Sequence, residues 1–267
     1  MNAVRLYLRY VRTSLRGQMQ YRGSFLLTSF GAFVATGVDF IAVWALFARF
    51  RQIVGWEFGE VALFYAVIGV SFALADGLTR GFDIFGELFV KTGEFDRLLV
   101  RPRSTVLQLL GYEVRATRIG RLGQALVVWG VATRLTSITW SWTVWATLLF
   151  AVAGGVALFS GILILQATLA FWTVDSLEIA NALTYGGVEA AQYPLDVYAR
   201  WLRNFLIFVV PLGCVSYFPV AFVLGHADRT GVPPALLQLT PLLGFAFLGV
   251  ALLVWRQGVR HYTSTGS

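Results

Sequence analysis

The feature that most constrains this chain is the stretch 142–172, which contains no Asp, Glu, Lys or Arg. A helix needs about 20 apolar residues to cross the hydrocarbon core of a bilayer, so this stretch must tilt or extend beyond the hydrocarbon. Of the 267 residues, 57% are hydrophobic and 13% are charged, whereas soluble domains have about 45–50% and about 25%. The sequence therefore predicts an all-α membrane protein.

Further apolar stretches predict six transmembrane helices. Besides 142–172, spans are expected at residues 25–47, 58–78, 117–132 and 235–255. The fifth span in chain order is ambiguous. Residues 205–224 are more apolar but contain Pro211 and Pro219, whereas residues 177–193 are less apolar and contain Glu178, Asn181 and Glu189.

Residues 1–22 have the pattern of an amphipathic helix. Basic and apolar residues recur at helical spacing on two neighbouring stripes, which are Arg5, Arg9, Arg12 and Arg16, and Val4, Leu8, Val11 and Leu15. This pattern is typical of a helix that lies in the membrane interface. A signal peptide does not fit, because arginines interrupt any apolar region before Phe25.

The distribution of basic residues predicts the orientation. With 205–224 as the fifth span, all of the 21 Lys and Arg but Arg49, Arg51, Arg134 and Arg229 lie in the two termini or in alternate loops. With 177–193 as the span, Arg200 and Arg203 join those four, and the excess remains on the same side. Basic residues concentrate in cytoplasmic loops, so both termini are expected in the cytoplasm. The net charge of +7 then reflects these loops beside anionic lipids and not a nucleic-acid partner.

Composition and motifs also argue against catalysis. Cys214 is the single cysteine and only two histidines accompany it, so no Cys/His cluster for a metal or redox centre is expected. The sequence lacks the phosphate-binding loop of ATPases and the common hydrolase motifs. No catalytic, cofactor-binding or metal site is therefore predicted in this chain.

The most informative loop segment alternates charged and bulky apolar residues. It consists of Gly93, Glu94, Phe95, Asp96, Arg97, Leu98, Leu99, Val100, Arg101 and Pro102. Gly and Pro suit the two ends of a helix. The pattern favours a short amphipathic helix that inserts Phe95, Leu98 or Leu99 into a cleft of a partner, and the alternative is a solvated loop.

This segment resembles the G-x-L-D-x-x-L-x-R-P motif of bacterial ABC-2 type transporter permeases, with Phe95 in place of the usual Leu. A second string is similar to the Tyr/Phe-Pro, W-L-R and later Pro pattern after the fifth span of that family. It comprises Tyr193, Pro194, Tyr198, Trp201, Leu202, Arg203, Pro211, Tyr217, Phe218 and Pro219. The resemblance extends over the chain, 1–267, as one ABC-2 transmembrane domain.

The resemblance implies a permease subunit that exports cargo across the bacterial inner membrane by alternating access. ATP and Mg would bind to two copies of a separate ABC ATPase, and the second permease would be the same chain or a paralogue. Residues 93–103 would form the coupling helix that docks on the ATPase. The resemblance also favours 177–193 as the fifth span and 195–224 as an outer re-entrant element.

Four acidic residues inside the predicted spans are candidates for the translocation path. Charges inside a membrane are costly and usually face protein or water. The four residues are Asp39, Asp76, Glu178 and Glu189, with Asn181 as a polar neighbour. Interhelical pairing is the alternative, and Asp76, Glu178 and Glu189 are expected close enough to the span ends to reach water.

Two other classes of function remain open from the residues. One is a secondary transporter or channel that uses Asp39 and the other carboxylates for ion coupling. The other is a membrane anchor or assembly factor without cargo. An ATPase partner distinguishes the permease from both.

Overall fold

The computed structural model describes residues 3–113, 115–173 and 177–263, and these are mainly helical. The helices in chain order are α1 (Ala3–Gln18), α2 (Arg22–Phe50), α3 (Phe58–Leu78), α4 (Arg80–Asp83), α5 (Glu94–Leu99), α6 (Thr105–Leu110), α7 (Ala116–Leu135), α8 (Trp142–Leu169), α9 (Leu177–Ala191), α10 (Arg200–Asn204), α11 (Leu212–Val215), α12 (Tyr217–Val223), α13 (Pro234–Leu237) and α14 (Leu242–His261). Short 3-10 turns occur at Met19–Tyr21, Leu195–Val197 and Ala227–Thr230, and π-helical turns occur at Phe85–Val90 and Phe205–Val209. Strands β1 (Gln52–Ile53) and β2 (Trp56–Glu57) form an antiparallel hairpin between α2 and α3.

Within the described ranges, four helical stretches are long and apolar enough to cross a bilayer. They are Arg9–Phe50, which includes α2, and the helices α3, α8 and α14. The pair Arg200–Val209 and Leu212–Val223, bent by 73°, raises this number to five if it counts as one span. The prediction of six spans is therefore not confirmed. α7 has 20 residues but includes Arg118, Arg121 and Arg134, and α9, at 15 residues, is shorter than a straight crossing requires.

α3 is the central helix of the fold. It packs against α7 on one side and α8 on the other, while α2 lies against α7 and α14 lies against α8. Nearly every side chain of α3 between Val61 and Ala75 is buried. Small residues permit this packing, as where Gly155 of α8 lies directly against Ser71 of α3. Close contact of small residues is the usual basis of helix association in membranes.

α8 and α14 approach each other at Gly154 and Gly244. A Cβ atom on Gly244 would overlap the carbonyl oxygen of Gly154, and a Cβ atom on Gly154 would lie 2.6 Å from the carbonyl oxygen of Pro241. Neither position has room for a Cβ atom, so the two backbones touch only because both residues are glycine.

The last long helix differs from its predicted bounds. α14 begins at Leu242 and ends at His261, whereas the hydropathy pattern predicts a span over residues 235–255. Pro241 precedes the helix and has no N–H to donate to a preceding turn. The apolar residues before it form the separate short helix α13.

α1 covers most of the segment predicted to be amphipathic. Its helix ends before a 3-10 turn, and Tyr21 has φ −107° and ψ 67°, outside the helical range. The ring of Tyr10 packs directly onto Gly111, which follows α6. The helical conformation is confirmed, and the position of α1 at a membrane surface stays a prediction.

Candidate functional site

α5 is the helix predicted from the segment Gly93–Pro102. Gly93 precedes it with φ 71°, a left-handed conformation that favours glycine. Arg97 and Glu94 lie one turn apart, with 3.8 Å between Nη1 and Oε1. The helix has only six residues, so contacts with the rest of the chain must hold it in place.

The side chain of Phe95 anchors α5 to the membrane helices. It is fully buried in a group of aromatic rings that we call the aromatic platform. The platform consists of Phe82, Phe85, Phe89, Phe171, Trp255 and Tyr262. The Phe95 ring lies 5.0 Å from Phe85, 5.6 Å from Phe171 and 5.0 Å from Tyr262, measured between ring centroids. These residues come from α4, from the Phe85–Val90 turn, from the last turns of α14 and from the positions just after α8 and α14.

The sequence predicts that Phe95, Leu98 or Leu99 inserts into a partner, and the structure leaves Leu99 as the available candidate. Phe95 is 0% exposed and Leu98 is 8% exposed, because the aromatic platform already covers that face of α5. Other side chains of this segment are open. Leu99 is 41% exposed and Val100 is 83% exposed, and the side chain of Arg97 is 80% exposed.

A buried side chain of α6 fixes the C-terminal end of α5. The Nε2 atom of the buried Gln108 in α6 donates hydrogen bonds to the carbonyl oxygens of Leu98, at 3.1 Å, and Arg103, at 3.2 Å. Burial and the nearby Asp96 carboxylate raise the pKa of Tyr262, which follows α14. Arg101, Pro102 and Arg103 are exposed, so the basic turn after α5 is accessible.

A buried group of charges lies where α3, α4 and α7 meet. Asp76 is only 1% exposed, and its Oδ2 atom lies 2.8 Å from Arg118 Nε and 3.7 Å from Arg121 Nη1. Asp83 pairs with Arg80 and lies 4.0 Å from Arg118. The expectation that Asp76 reaches water is wrong, because its position near the end of α3 is covered by α7. The structure supports the alternative of interhelical pairing for this residue.

Asp39 and Glu189 line one polar cavity of about 360 Å³. Its walls come from α2, α3, α7 and α9, and both carboxylate residues are exposed. Arg121 and Gln124 of α7 and three tyrosines, Tyr65, Tyr185 and Tyr193, complete most of the polar lining. Gln124 is 5% exposed, and its Nε2 atom has no hydrogen-bond partner among the described residues.

The cavity and the buried charges share Arg121, which lines the cavity and also faces Asp76. The structure therefore brings two of the four predicted acidic residues together and assigns a third to ion pairing. The side chains of Glu178 and Asn181 lie outside the described residues, so their role stays a prediction.

The string after Tyr193 and Pro194 forms a broken helical element. α10 and the Phe205–Val209 turn run to a break at Pro211, where the axis bends by 73° into α11 and α12. Pro219 occupies the first turn of α12, where the missing N–H costs nothing. A helical element at residues 195–224 is present, and its re-entry into the membrane stays a prediction.

Asp196 holds this broken element to the β-hairpin. Its Oδ2 atom accepts hydrogen bonds from Trp56 Nε1 at 3.2 Å and from Tyr217 OH at 2.8 Å. Arg203 pairs with Asp196 at 3.5 Å and donates from Nε to the carbonyl oxygen of Leu195 at 3.1 Å. Arg203 is thus a structural residue, whereas Trp201 is 72% exposed.

Sequence reasoning missed several residues that organise these sites. They are Gln108, Phe171, Trp255 and Tyr262 around α5, Arg118 beside Asp76, and Trp56 and Asp196 in the broken element. Arg118 and Asp196 carried a usable signal, since charged residues close to apolar segments need partners. The aromatic residues carried none, because membrane proteins are generally rich in them.

The arrangement of apolar helices around α3, with a short helix fixed to their ends, defines a helical membrane protein. A family model described as ABC-2 family transporter protein matches residues 33–266. The chain therefore belongs to the ABC-2 family of transporter membrane proteins. No curated protein and no solved structure matches it.

Proposed function

We propose that this chain is the permease subunit of an ATP-driven exporter, and that a separate ABC ATPase supplies the energy. The observation that carries the proposal is the combination of a buried anchor and exposed side chains in α5 and the turn after it. Phe95 fixes α5 to the ends of α8 and α14, while Arg97, Leu99 and Val100 are exposed. An exposed apolar patch rimmed by charge is typical of a docking surface.

The docking face consists of Arg97 and Leu99 of α5 and of Val100 and Arg101, which follow it. Leu99 and Val100 bury apolar surface in the ATPase, and the arginines meet acidic residues there. ATP and Mg bind to two ATPase copies, whose closure moves α5. The aromatic platform passes this motion to α8 and α14 as a rigid-body shift.

The polar cavity is the proposed part of the translocation path in this subunit. Asp39, Glu189 and Arg121 supply charges of both signs beside the half-buried ring of Tyr193. Charged side chains at membrane depth usually mark such paths. Two permease copies, or this chain and a paralogue, complete the path in the inner membrane, with the termini and α5 in the cytoplasm.

The docking face is tested with the variant Arg97→Glu/Val100→Asp. The permease and a candidate ABC ATPase from the same genome are co-expressed, purified from membranes through a tag on the permease, and assayed for ATP hydrolysis. We expect at least about a tenfold loss of bound ATPase, since charge reversal and a buried carboxylate both oppose docking. The variant permease should remain as abundant and as stable as the unaltered chain.

The matched control is Arg49→Glu, which reverses an exposed arginine on the opposite side of the predicted membrane. It should leave the amount of bound ATPase unchanged. Equal ATPase recovery with the docking-face variant and with this control would show that α5 does not dock the motor.

A further inference from the structure

Two clefts on one side of α14 share a wall formed by Val106 and Leu252. The first, which we call the apolar cleft, has a volume of about 490 Å³ and lies between residues of α1, α6, α8 and α14. Ala153, Phe245 and Leu248 are among its lining residues. The second, the basic cleft, has a volume of about 510 Å³ and includes Ser104, Thr105, Arg256 and Arg260.

The basic cleft offers two uncommitted positive charges. Arg256 and Arg260 lie one helical turn apart on the same face of α14 and are exposed. In the part of the chain that the structure describes, neither guanidinium forms an ion pair. The face of α14 thus changes from apolar at Phe245 and Leu248 to basic at its last turns.

The dimensions of the two clefts match one leaflet of a bilayer. The helix rises about 1.5 Å per residue, so Phe245 and Arg256 lie about 16 Å apart along α14. Half of the hydrocarbon core is about 15 Å thick. An amphiphile with its charged group at Arg256 would therefore have its chains beside Phe245.

We infer that the two clefts bind one anionic phospholipid of the surrounding bilayer. Arg256 and Arg260 bind its phosphate, the Ser104 hydroxyl supplies a further donor, and an acyl chain fills the apolar cleft. Charge complementarity selects the anionic headgroup, and the continuous apolar wall selects a lipid over a soluble phosphate.

The lipid would also contact the elements that hold α5. Tyr7 of α1 and Leu107 of α6 line the apolar cleft, and Gln108 of α6 is hydrogen-bonded to the end of α5. Occupancy of the clefts thus stabilises α6 against α14. This inference goes beyond the proposed function, since lipid binding does not require an ATPase.

Native mass spectrometry of the purified full chain tests the inference. Phosphatidylglycerol and phosphatidylcholine with identical acyl chains are titrated in detergent, and the number of retained lipids is counted. We expect one tightly retained phosphatidylglycerol. Each basic residue at an anionic lipid surface contributes a factor of about five, so Arg256→Gln/Arg260→Gln should weaken this binding about thirtyfold.

Three further variants separate charge from structure. Arg256→Lys/Arg260→Lys should retain most of the binding. Arg49→Gln/Arg134→Gln, which removes two exposed arginines elsewhere, should change nothing. Ala153→Trp fills the apolar cleft from an exposed position and should lower the retention of phosphatidylglycerol although both arginines remain.

Several outcomes would overturn the inference. Equal retention of the two lipids by the unaltered chain would show that no anionic lipid is selected. Displacement of phosphatidylglycerol by glycerol 3-phosphate would identify a soluble-anion site. If Ala153→Trp changes permease self-association and leaves lipid retention intact, a second copy of the chain occupies the cleft.

Discussion

At the scale of single residues, the buried pair of Asp76 and Arg118 is expected to contribute to the free energy of unfolding. Asp76→Asn or Arg118→Gln removes the nearest counter-charge of the remaining partner, which keeps only Asp83 at 4.0 Å from Arg118 or Arg121 at 3.7 Å from Asp76. Breaking a buried pair in this way typically costs about 3–5 kcal/mol. The double variant should lose less than the sum of the single losses, because it removes both charges. Unfolding of the purified chain in an SDS titration measures these differences.

The exposed pair of Arg115 and Glu113, at 2.9 Å, provides the matched control. Arg115→Gln should change the free energy of unfolding by at most about 1 kcal/mol, since solvent screens exposed ion pairs. If the Asp76 and Arg118 losses are additive, the two residues do not act as a pair.

Replacing Phe95 and replacing Leu99 should change the free energy of unfolding by different amounts, although both residues lie in the same short helix. Phe95→Ala opens a cavity in the aromatic platform and should lower the free energy of unfolding by about 3–5 kcal/mol. Leu99→Ala should lower it by about 0.5 kcal/mol or less, because Leu99 is partly exposed. Thermal unfolding of both variants, without any ATPase present, distinguishes the buried anchor from the exposed docking residue.

The sequence was sufficient to predict the helix at Glu94–Leu99 but not which of its faces is buried. Six residues make fewer than two turns, so alternation of charged and apolar residues does not define a single buried stripe. The covering side chains, such as Phe171 and Trp255, are distant in sequence. Their position depends on how α8 and α14 pack.

At the scale of whole helices, the contact of α8 with α14 predicts that alanine substitutions at two glycines of α14 have opposite effects on stability. Gly244→Ala places a methyl group against the Gly154 backbone and should cost about 1–3 kcal/mol. Gly249→Ala meets no atom within 4 Å and should be neutral or stabilise by about 0.5–1 kcal/mol. SDS titration of the two variants measures the difference, and equal effects would contradict this packing.

Hydropathy predicted the position of α3 and α8 well, since both helices are almost uniformly apolar. It was less informative for α7, because the arginines of this helix lower its mean hydropathy. Two of these arginines pair with Asp76 in the folded protein. Such pairing depends on the tertiary structure. Hydropathy did not predict the start of α14, because the apolar stretch continues across Pro241, whereas the helix begins only after this residue.

At the scale of the whole molecule, labelling of engineered cysteines tests whether α7 is a further span. Ser104 and Ser137 lie on either side of α7, and both are exposed. If α7 crosses the membrane, as we propose, Ser104→Cys reacts with an impermeant thiol reagent only from the cytoplasmic side and Ser137→Cys only from the outside. Labelling of both from one side would exclude α7 as a span.

The background for this labelling should be low. Cys214, the only native cysteine in the sequence, is 2% exposed, and burial raises the barrier to reaction with a bulky reagent. A matched sample of the unaltered chain provides the blank. Strong labelling of that sample would require Cys214→Ala before any topology is assigned.

The polar cavity could be predicted from the sequence only in part. Asp39 and Glu189 stand out as charges in apolar segments, so each was a recognisable candidate. That they share one cavity depends on α2 and α9 both lying beside α3 and α7. Their separation of many residues along the chain leaves no pattern from which this proximity could be read.

The aromatic platform has a mechanical consequence for the proposed transporter. Phe95 contacts rings from the Phe85–Val90 turn, from the end of α8 and from the end of α14. A force applied to α5 is therefore divided among parallel connections and does not pass along a single series of contacts. Loss of one connection weakens transmission, whereas loss of the shared joint at Phe95 interrupts every route at once.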